Sequence, residues 1–299
     1  MNIVVTGGTG YIGQRLVARL RDRGDAVTAL VRNAERAKQE LPDVRLVNAD
    51  LETPGAWTLA LHGADAIVHL AGENVGARRW NAHVKQLIRD SRVETTRTIV
   101  EAIARAPPKV LVTASGVDYY EFDADDDEVT ESAPPADTFS GRLCRDWEAE
   151  ARAAESLGVR VVSMRTGMVL GPDGEAIKKL RRPFQLFAGG RLGSGKQWVS
   201  WIHVEDVVTS YANAISDERY RGPINLVTDS IRNAEFARAL GEALHRPTWL
   251  PVPALAIRAA VGEFAESVLN GRRVVPAKMR ELGFVWRYST LPEALAASV

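Results

Sequence analysis

The strongest constraint on this chain lies at its start. A short apolar stretch, Asn2–Thr6, runs directly into Thr6-Gly7-Gly8-Thr9-Gly10-Tyr11-Ile12-Gly13, and an amphipathic segment follows over residues 12–23. A strand that ends in glycines and opens a helix brings backbone N–H groups up to a phosphate. Gly7 permits the tight turn, Gly10 lets backbone approach a pyrophosphate with no Cβ in the way, and Gly13 allows close helix–strand packing. The helix start, with Tyr11 and Ile12, offers N–H groups that have no partner inside the helix.

The rest of the first half repeats the same kind of unit. Apolar runs at Asn2–Thr6, Ala26–Val31, 44–48, 66–70, 110–113 and 159–165 alternate with stretches of helical periodicity. Their richness in β-branched residues suits strands covered on both faces, so the expected fold is α/β, a Rossmann-type doubly wound parallel sheet. From about Gly171 the alternation stops, and a Gly- and Trp-rich stretch (Gly189, Gly190, Gly193, Gly195, Trp198, Trp201) precedes a helical segment near Glu205. The expected division is a dinucleotide-binding domain over 1–170 and a smaller C-terminal substrate lobe over 171–299, with residues 224–227 able to return to the main sheet.

Composition narrows the partners. Lys+Arg and Asp+Glu are equal at 38 each, which argues against a global grip on nucleic acid or an anionic membrane and leaves a small molecule as the expected ligand. The single cysteine, Cys144, cannot form an internal disulfide, and the N-terminus lacks a basic, apolar leader, so a cytoplasmic location is expected. Residues 252–264 are interrupted by Arg258 and Glu263, short of the roughly 20 apolar residues of a membrane span. No His-x-x-x-His pair exists among His62, His69, His83, His203 and His245, so no metal is expected.

Residues 190–196, Gly-Arg-Leu-Gly-Ser-Gly-Lys, have P-loop spacing, but Gln197 stands where a magnesium-binding hydroxyl belongs, and no buried strand precedes them. They read as a lobe loop. The acidic run 121–131 reads as a solvated loop, because clustered carboxylates resist burial. The basic run Lys178, Lys179, Arg181 and Arg182 reads as a solvated face able to meet an anionic substrate.

The Gly-x-x-Gly-x-x-Gly spacing resembles the extended branch of the short-chain dehydrogenase/reductase superfamily, which includes sugar-nucleotide epimerases and dehydratases. His69-Leu70-Ala71-Gly72, Arg165-Thr166-Gly167-Met168-Val169-Leu170-Gly171-Pro172 and Trp201-Ile202-His203-Val204-Glu205-Asp206-Val207 are similar to further motifs of that branch. Ala71-Gly72-Glu73-Asn74, Arg78-Arg79-Trp80, Asp90-Ser91-Arg92, Cys144-Arg145-Asp146-Trp147-Glu148 and residues 193–198 resemble, more narrowly, an atypical "epimerase family" group with a C-terminal domain of unknown function. Arg246-Pro247 and Gly283-Phe284 extend that likeness over nearly the whole chain.

An NAD-preferring site usually ends its second strand with Asp or Glu. Here Arg32 holds that place, a planar cation suited to a 2′-phosphate and to adenine, so the expected cofactor is NADP. The resemblance adds Asp50 and Leu51 at the adenine, Leu70, Ala71 and Gly72 along the cofactor path, Arg92 at the phosphates and Val169 near the nicotinamide.

It also implies a Tyr-x-x-x-Lys pair that is missing: the residues four places after Tyr11, Tyr119, Tyr120, Tyr211, Tyr220 and Tyr288 include no lysine. Ser140 and Cys144 stand where that pair would fall. Ser115 matches the family's catalytic Ser/Thr position, and Tyr119 and Tyr120 are the candidates for a displaced phenol. Two functions stay open. One is an NADP-dependent oxidoreductase or epimerase acting on a sugar nucleotide or related polar ligand; the other is a non-catalytic NADPH-binding sensor or scaffold.

Overall fold

The computed structural model describes residues 1–122 and 126–299. Its centre is a sheet of β1 (Asn2–Thr6), β2 (Ala26–Val31), β3 (Arg45–Asn48), β4 (Ala66–His69), β5 (Val110–Gly116), β7 (Arg160–Thr166) and β10 (Gly222–Leu226). The order is β10-β7-β5-β4-β1-β2-β3, and every neighbouring pair is parallel. The strand alternation explains the apolar runs: Ile3 and Val5 of β1 enter one core and Val4 the other, as Val110 and Val112 of β5 do against Leu111. β5 runs to Gly116, which carries Ser115 onto the strand end.

One face of the sheet is covered by α1 (Tyr11–Asp22), through Leu16, Val17 and Leu20, and by α7 (Val204–Ser216), through Val207, Val208 and Tyr211. α2 (Ala34–Glu40) closes the β2–β3 crossover on the same side. The opposite face carries α3 (Ala82–Asp90), α4 (Val93–Ile103) and α5 (Phe139–Arg152), with Ile99, Val100, Ile103 and Ala151 in its core. Strand order reverses direction between β1 and β4, which opens a crevice at the carboxyl ends of the strands, just past the glycine turn.

From Met168 the chain builds a lobe, returns for α7 and β10, and leaves again. The lobe contains β8 (Met168–Leu170), β9 (Trp198–His203) and β11 (Asp229–Arg232) in one sheet, with β9 parallel to β8 and antiparallel to β11. α6 (Glu175–Gln185), α8 (Asn233–Leu244) and α12 (Leu291–Ala296) pack around Trp201, Phe184, Phe236 and Leu240. α9 (Ala254–Val261) and α10 (Ala265–Leu269) sit beside Trp80, whose ring meets Phe139 and Phe264 at 5.3 and 5.1 Å. α11 (Ala277–Glu281) packs on β10, and β6 (Glu128–Val129) pairs with β12 (Arg273–Val274). No helix among the described residues is long and apolar enough to cross a membrane.

The acidic run departs from expectation at one end. Asp126, Asp127 and Glu128 are exposed, and residues 123–125 lie outside the described residues. Glu131 is buried instead of solvated. Its Oε1 accepts the backbone N–H groups of Asn225 at 3.0 Å and Lys278 at 3.2 Å, which replace the water a carboxylate otherwise needs. Residues 190–196 form a loop that bridges to Trp249 and Val252, as their missing strand context implies.

Candidate functional site

The glycine turn is built by close approach. Gly7 has φ +67°, and a Cβ there would lie 2.7 Å from the Leu70–Ala71 backbone, so the turn presses against the chain leaving β4. A Cβ on Gly13 would lie 2.2 Å from the Gly7 carbonyl oxygen. At Gly10 the situation differs: among the described residues a Cβ would meet the Gly7 oxygen, at 3.2 Å, and nothing else within 4 Å. Gly10 is also the N-cap of α1 and supplies no capping side chain, so the first N–H groups of the helix face the crevice with the positive end of the dipole. A pyrophosphate fits this cradle: Gly7 and Gly13 shape it, Gly10 leaves room, and Tyr11 and Ile12 present donors.

Tyr11 has a second task. Its hydroxyl donates to the Pro172 carbonyl at 3.0 Å, and the Arg15 guanidinium lies over its ring at 4.2 Å. The turn is thereby tied to the segment just after β8, the strand whose Val169 packs partly buried against the main core.

The adenine end is open. Arg32 follows β2 and is exposed, with no hydrogen bond or ion pair to another described residue. Beside it Asn33 caps α2 by accepting the Arg36 N–H at 3.0 Å, so the short neighbour is used and the long cation is left over. Asp50 is exposed and its carboxylate accepts from the Glu52 N–H and the Thr53 hydroxyl, at 3.2 and 3.0 Å. That arrangement organises a turn and holds Leu51 against the second core.

Midway along the crevice, Leu70 packs on the main core and the Ala71 N–H donates to the Thr6 hydroxyl at 3.2 Å. The Thr6 hydroxyl lies 2.7 Å from His69 Nδ1, and His69 Nε2 lies 3.3 Å from the Thr95 hydroxyl. Burial, with the nearby Arg92 charge, pushes the His69 pKa down to about 3, so this imidazole is neutral and structural. Arg92 is half-buried and stands over Gly72, where a Cβ would come within 3.1 Å of its Cζ. It bonds the Ile88 carbonyl at 3.2 Å and stacks toward Trp147 at 5.2 Å. No carboxylate pairs with it among the described residues, and burial lowers its pKa from the ordinary arginine value, as expected of a cation short of counter-charge.

The far corner is different in kind. Ser115 is buried, and its hydroxyl donates to Glu148 Oε1 at 2.7 Å. Glu148 on α5 grips Arg165 on β7 through two bonds, from Nε at 2.8 Å and from Nη2 at 2.7 Å, with both side chains 2 % exposed. Burial works against the Arg165 charge, but the Glu148 bonds outweigh it and hold its pKa above the ordinary value. Arg165 Nη1 then donates to the Tyr120 hydroxyl at 2.8 Å, and that hydroxyl donates to Asn225 Oδ1 at 2.6 Å. Burial raises the Tyr120 pKa to about 12. Tyr119 lies flat beneath the same guanidinium, 3.4 Å from ring centroid to Cζ. Both candidate phenols are thus engaged with Arg165.

Cys144, on the face of α5 where the lysine would fall, is buried, and burial first, then Asp118 and Glu148, push its thiol up to about 12. It is a protonated, buried thiol that packs as a small apolar group. Ser140 is buried on the same face, one turn earlier. Sequence reasoning had no signal for Glu148 as the partner of Ser115, nor for Asp118, a half-buried carboxyl beside Cys144 whose pKa burial raises to about 6. Next to this corner, a cleft of about 800 Å³ opens between residues 79–81 and the α9–α10 segment. Among the described residues no group of acidic, histidine or cysteine side chains is placed to hold a metal.

Residues 3–226 match the model of the NAD dependent epimerase/dehydratase family, and residues 252–298 match a domain of unknown function, DUF1731. The chain is 39% identical over 302 residues to the "Epimerase family protein SDR39U1 homolog, chloroplastic" of Arabidopsis thaliana, covering 99% of this chain and 86% of that protein. The crystal structure of human epimerase family protein SDR39U1 (isoform 2) with NADPH superposes with a TM-score of 0.87 at 35% identity, covering 99% of this chain and 98% of that one. A structure described as the nucleoside-diphosphate sugar epimerase of Corynebacterium glutamicum superposes at 0.80 with 32% identity, over all of this chain and 58% of its own.

Proposed function

Since the chain belongs to the NAD dependent epimerase/dehydratase family and has its dinucleotide-binding fold, we propose that it binds NADP(H) and uses it on a small polar carbonyl or hydroxyl compound of the sugar-nucleotide kind. The observation that carries the cofactor choice is Arg32. An exposed guanidinium without a partner among the described residues stands at the end of β2, where an NAD site would place a carboxylate. The relative crystallised with NADPH supports the same choice. When bound, the nicotinamide supplies the hydride chemistry; the protein's own groups orient the cofactor and handle the proton. The Gly7–Gly13 turn and Arg92 take the phosphates, Arg32 the 2′-phosphate, and Leu70, Ala71, Gly72 and Val169 flank the path to the corner of Ser115. The lone cysteine and the balanced charge support a reducing, cytoplasmic setting and a small-molecule partner.

The test is calorimetric titration of NADPH and NADH into the parent and Arg32→Asp. The parent binds NADPH more tightly, and the variant loses that preference by about 10- to 100-fold, the worth of a charged hydrogen-bonded contact. Equal affinities in the parent, or an unchanged preference in the variant, contradict the proposal. The second reading, a cofactor-holding protein without turnover, is favoured by one feature: the hydroxyls of Ser115 and Tyr120 are already bonded inside the protein. Tight NADPH binding with no turnover of any carbonyl substrate would establish it.

A further inference from the structure

Residues 172–179 leave β8 and cross the mouth of the crevice, bonded to both of its banks. On one bank, at the start of α1, the Pro172 carbonyl accepts the Tyr11 hydroxyl at 3.0 Å and Arg15 Nη2 at 3.2 Å. On the other, past β4, Lys179 Nζ donates to the Gly76 carbonyl at 2.5 Å. Lys179 also pairs with Glu175 at 2.5 Å, and Asn74 Nδ2 donates to the Glu175 carboxylate. The segment lies directly on Tyr11: a Cβ on Gly171 would stand 2.5 Å from the Tyr11 hydroxyl oxygen, and one on Gly174 3.3 Å from its Cζ. Tyr11 is the residue after Gly10, so the crossing runs beside the open part of the phosphate cradle.

The attachments on the two sides differ in kind. α6 is held to the lobe by apolar packing, through buried Ile177 and Phe184. The bonds from Tyr11, Arg15, Asn74 and Lys179 are polar and solvent-exposed, and water replaces such bonds readily. Ahead of α6, residues 171–174 make a tight turn in which Gly171 has φ +145° and Asp173 φ +65°, closed by the Gly174 N–H on the Gly171 carbonyl at 3.1 Å. Resting on the cofactor reading above, we infer that residues 172–179 are a strap closed over the dinucleotide crevice, with Asn74, Glu175 and Lys179 as its latch. A ligand seated at the Gly10 cradle enters and leaves when the strap lifts: the exposed bonds release, α6 stays with the lobe, and the 171–174 turn takes up the backbone rotation. The latch joins protein groups to one another whether or not a ligand is present, so it slows entry and exit alike and leaves the affinity nearly unchanged.

The experiment is stopped-flow fluorescence of NADPH with the parent, Lys179→Ala and Asn74→Ala. In the parent the observed association rate is expected to level off as NADPH concentration rises, at the rate of strap opening. Each variant should raise that plateau and the dissociation rate together by about 3- to 10-fold, the worth of one exposed polar bond, with equilibrium affinity kept within about twofold. A general loosening of the lobe would instead weaken affinity and leave the plateau where it is, and that result overturns the strap. An association rate in the parent that climbs linearly with NADPH concentration, or variant plateaus equal to the parent's, overturns it as well and leaves the cofactor reading standing. Failure of the parent to bind NADPH overturns that reading and the strap with it.

Discussion

The two ends of the crevice dispose of their polar groups in opposite ways. At the glycine turn, the first N–H groups of α1, the Arg32 guanidinium and, further in, Arg92 are paired with no carboxylate or capping side chain among the described residues. At the other end Ser115, Glu148, Arg165, Tyr120 and Asn225 form one buried chain in which each group is bonded to the next. Leaving a polar group unpaired in a crevice costs stability that a ligand can return, whereas a closed chain of bonds lends rigidity and has little left to offer a ligand. On the proposed function, the open end is the binding end and the closed end is scaffold.

The largest effect that could break this contrast is at Glu148. Glu148→Ala strands the buried Arg165 charge, and the expected loss is about 3–5 kcal/mol of unfolding free energy, with NADPH affinity of the folded protein unchanged. Denaturant unfolding and calorimetry on the same samples decide it; a large loss of affinity at unaltered stability would show that the closed end is part of the binding machinery.

An effect of similar size, shared between two histidines, comes from acid. Burial holds His69 near 3 and His203 near 4, below the ordinary histidine value of 6.5, so the unfolded chain binds protons that the folded chain refuses. Stability should be flat above about pH 6.5 and fall as pH drops toward 4, by on the order of 3 kcal/mol per histidine by about pH 4.5. His69→Gln should remove one share of that slope. A stability profile flat down to about pH 4 would contradict the burial of both rings in their neutral forms.

How much of this was legible in the sequence follows from what each feature depends on. The β1–turn–α1 unit is local: its glycines, its strand and its helix are neighbours in the chain, and the alternating burial of Ile3, Val4 and Val5 leaves a readable pattern. The same holds for Arg32, whose meaning comes from standing at a strand end. The closed end joins residues far apart. Ser115 meets Glu148, Tyr120 meets Asn225, and Glu131 meets Asn225 and Lys278, pairings set by how strands and helices stack. Periodicity reports which face of an element is buried, but not which polar atom waits on the other side. Glu131 shows the consequence, since an acidic run looks solvated until two backbone donors from other elements are brought to it.

The most direct test of the contrast is amide hydrogen exchange with and without saturating NADPH. The account predicts added protection over residues 7–13 and 69–72, where open donors and backbone line the crevice, and no change over residues 128–131 and 222–226, which the closed network already fixes. Added protection confined to the second pair of segments, with residues 7–13 unaffected, would contradict it.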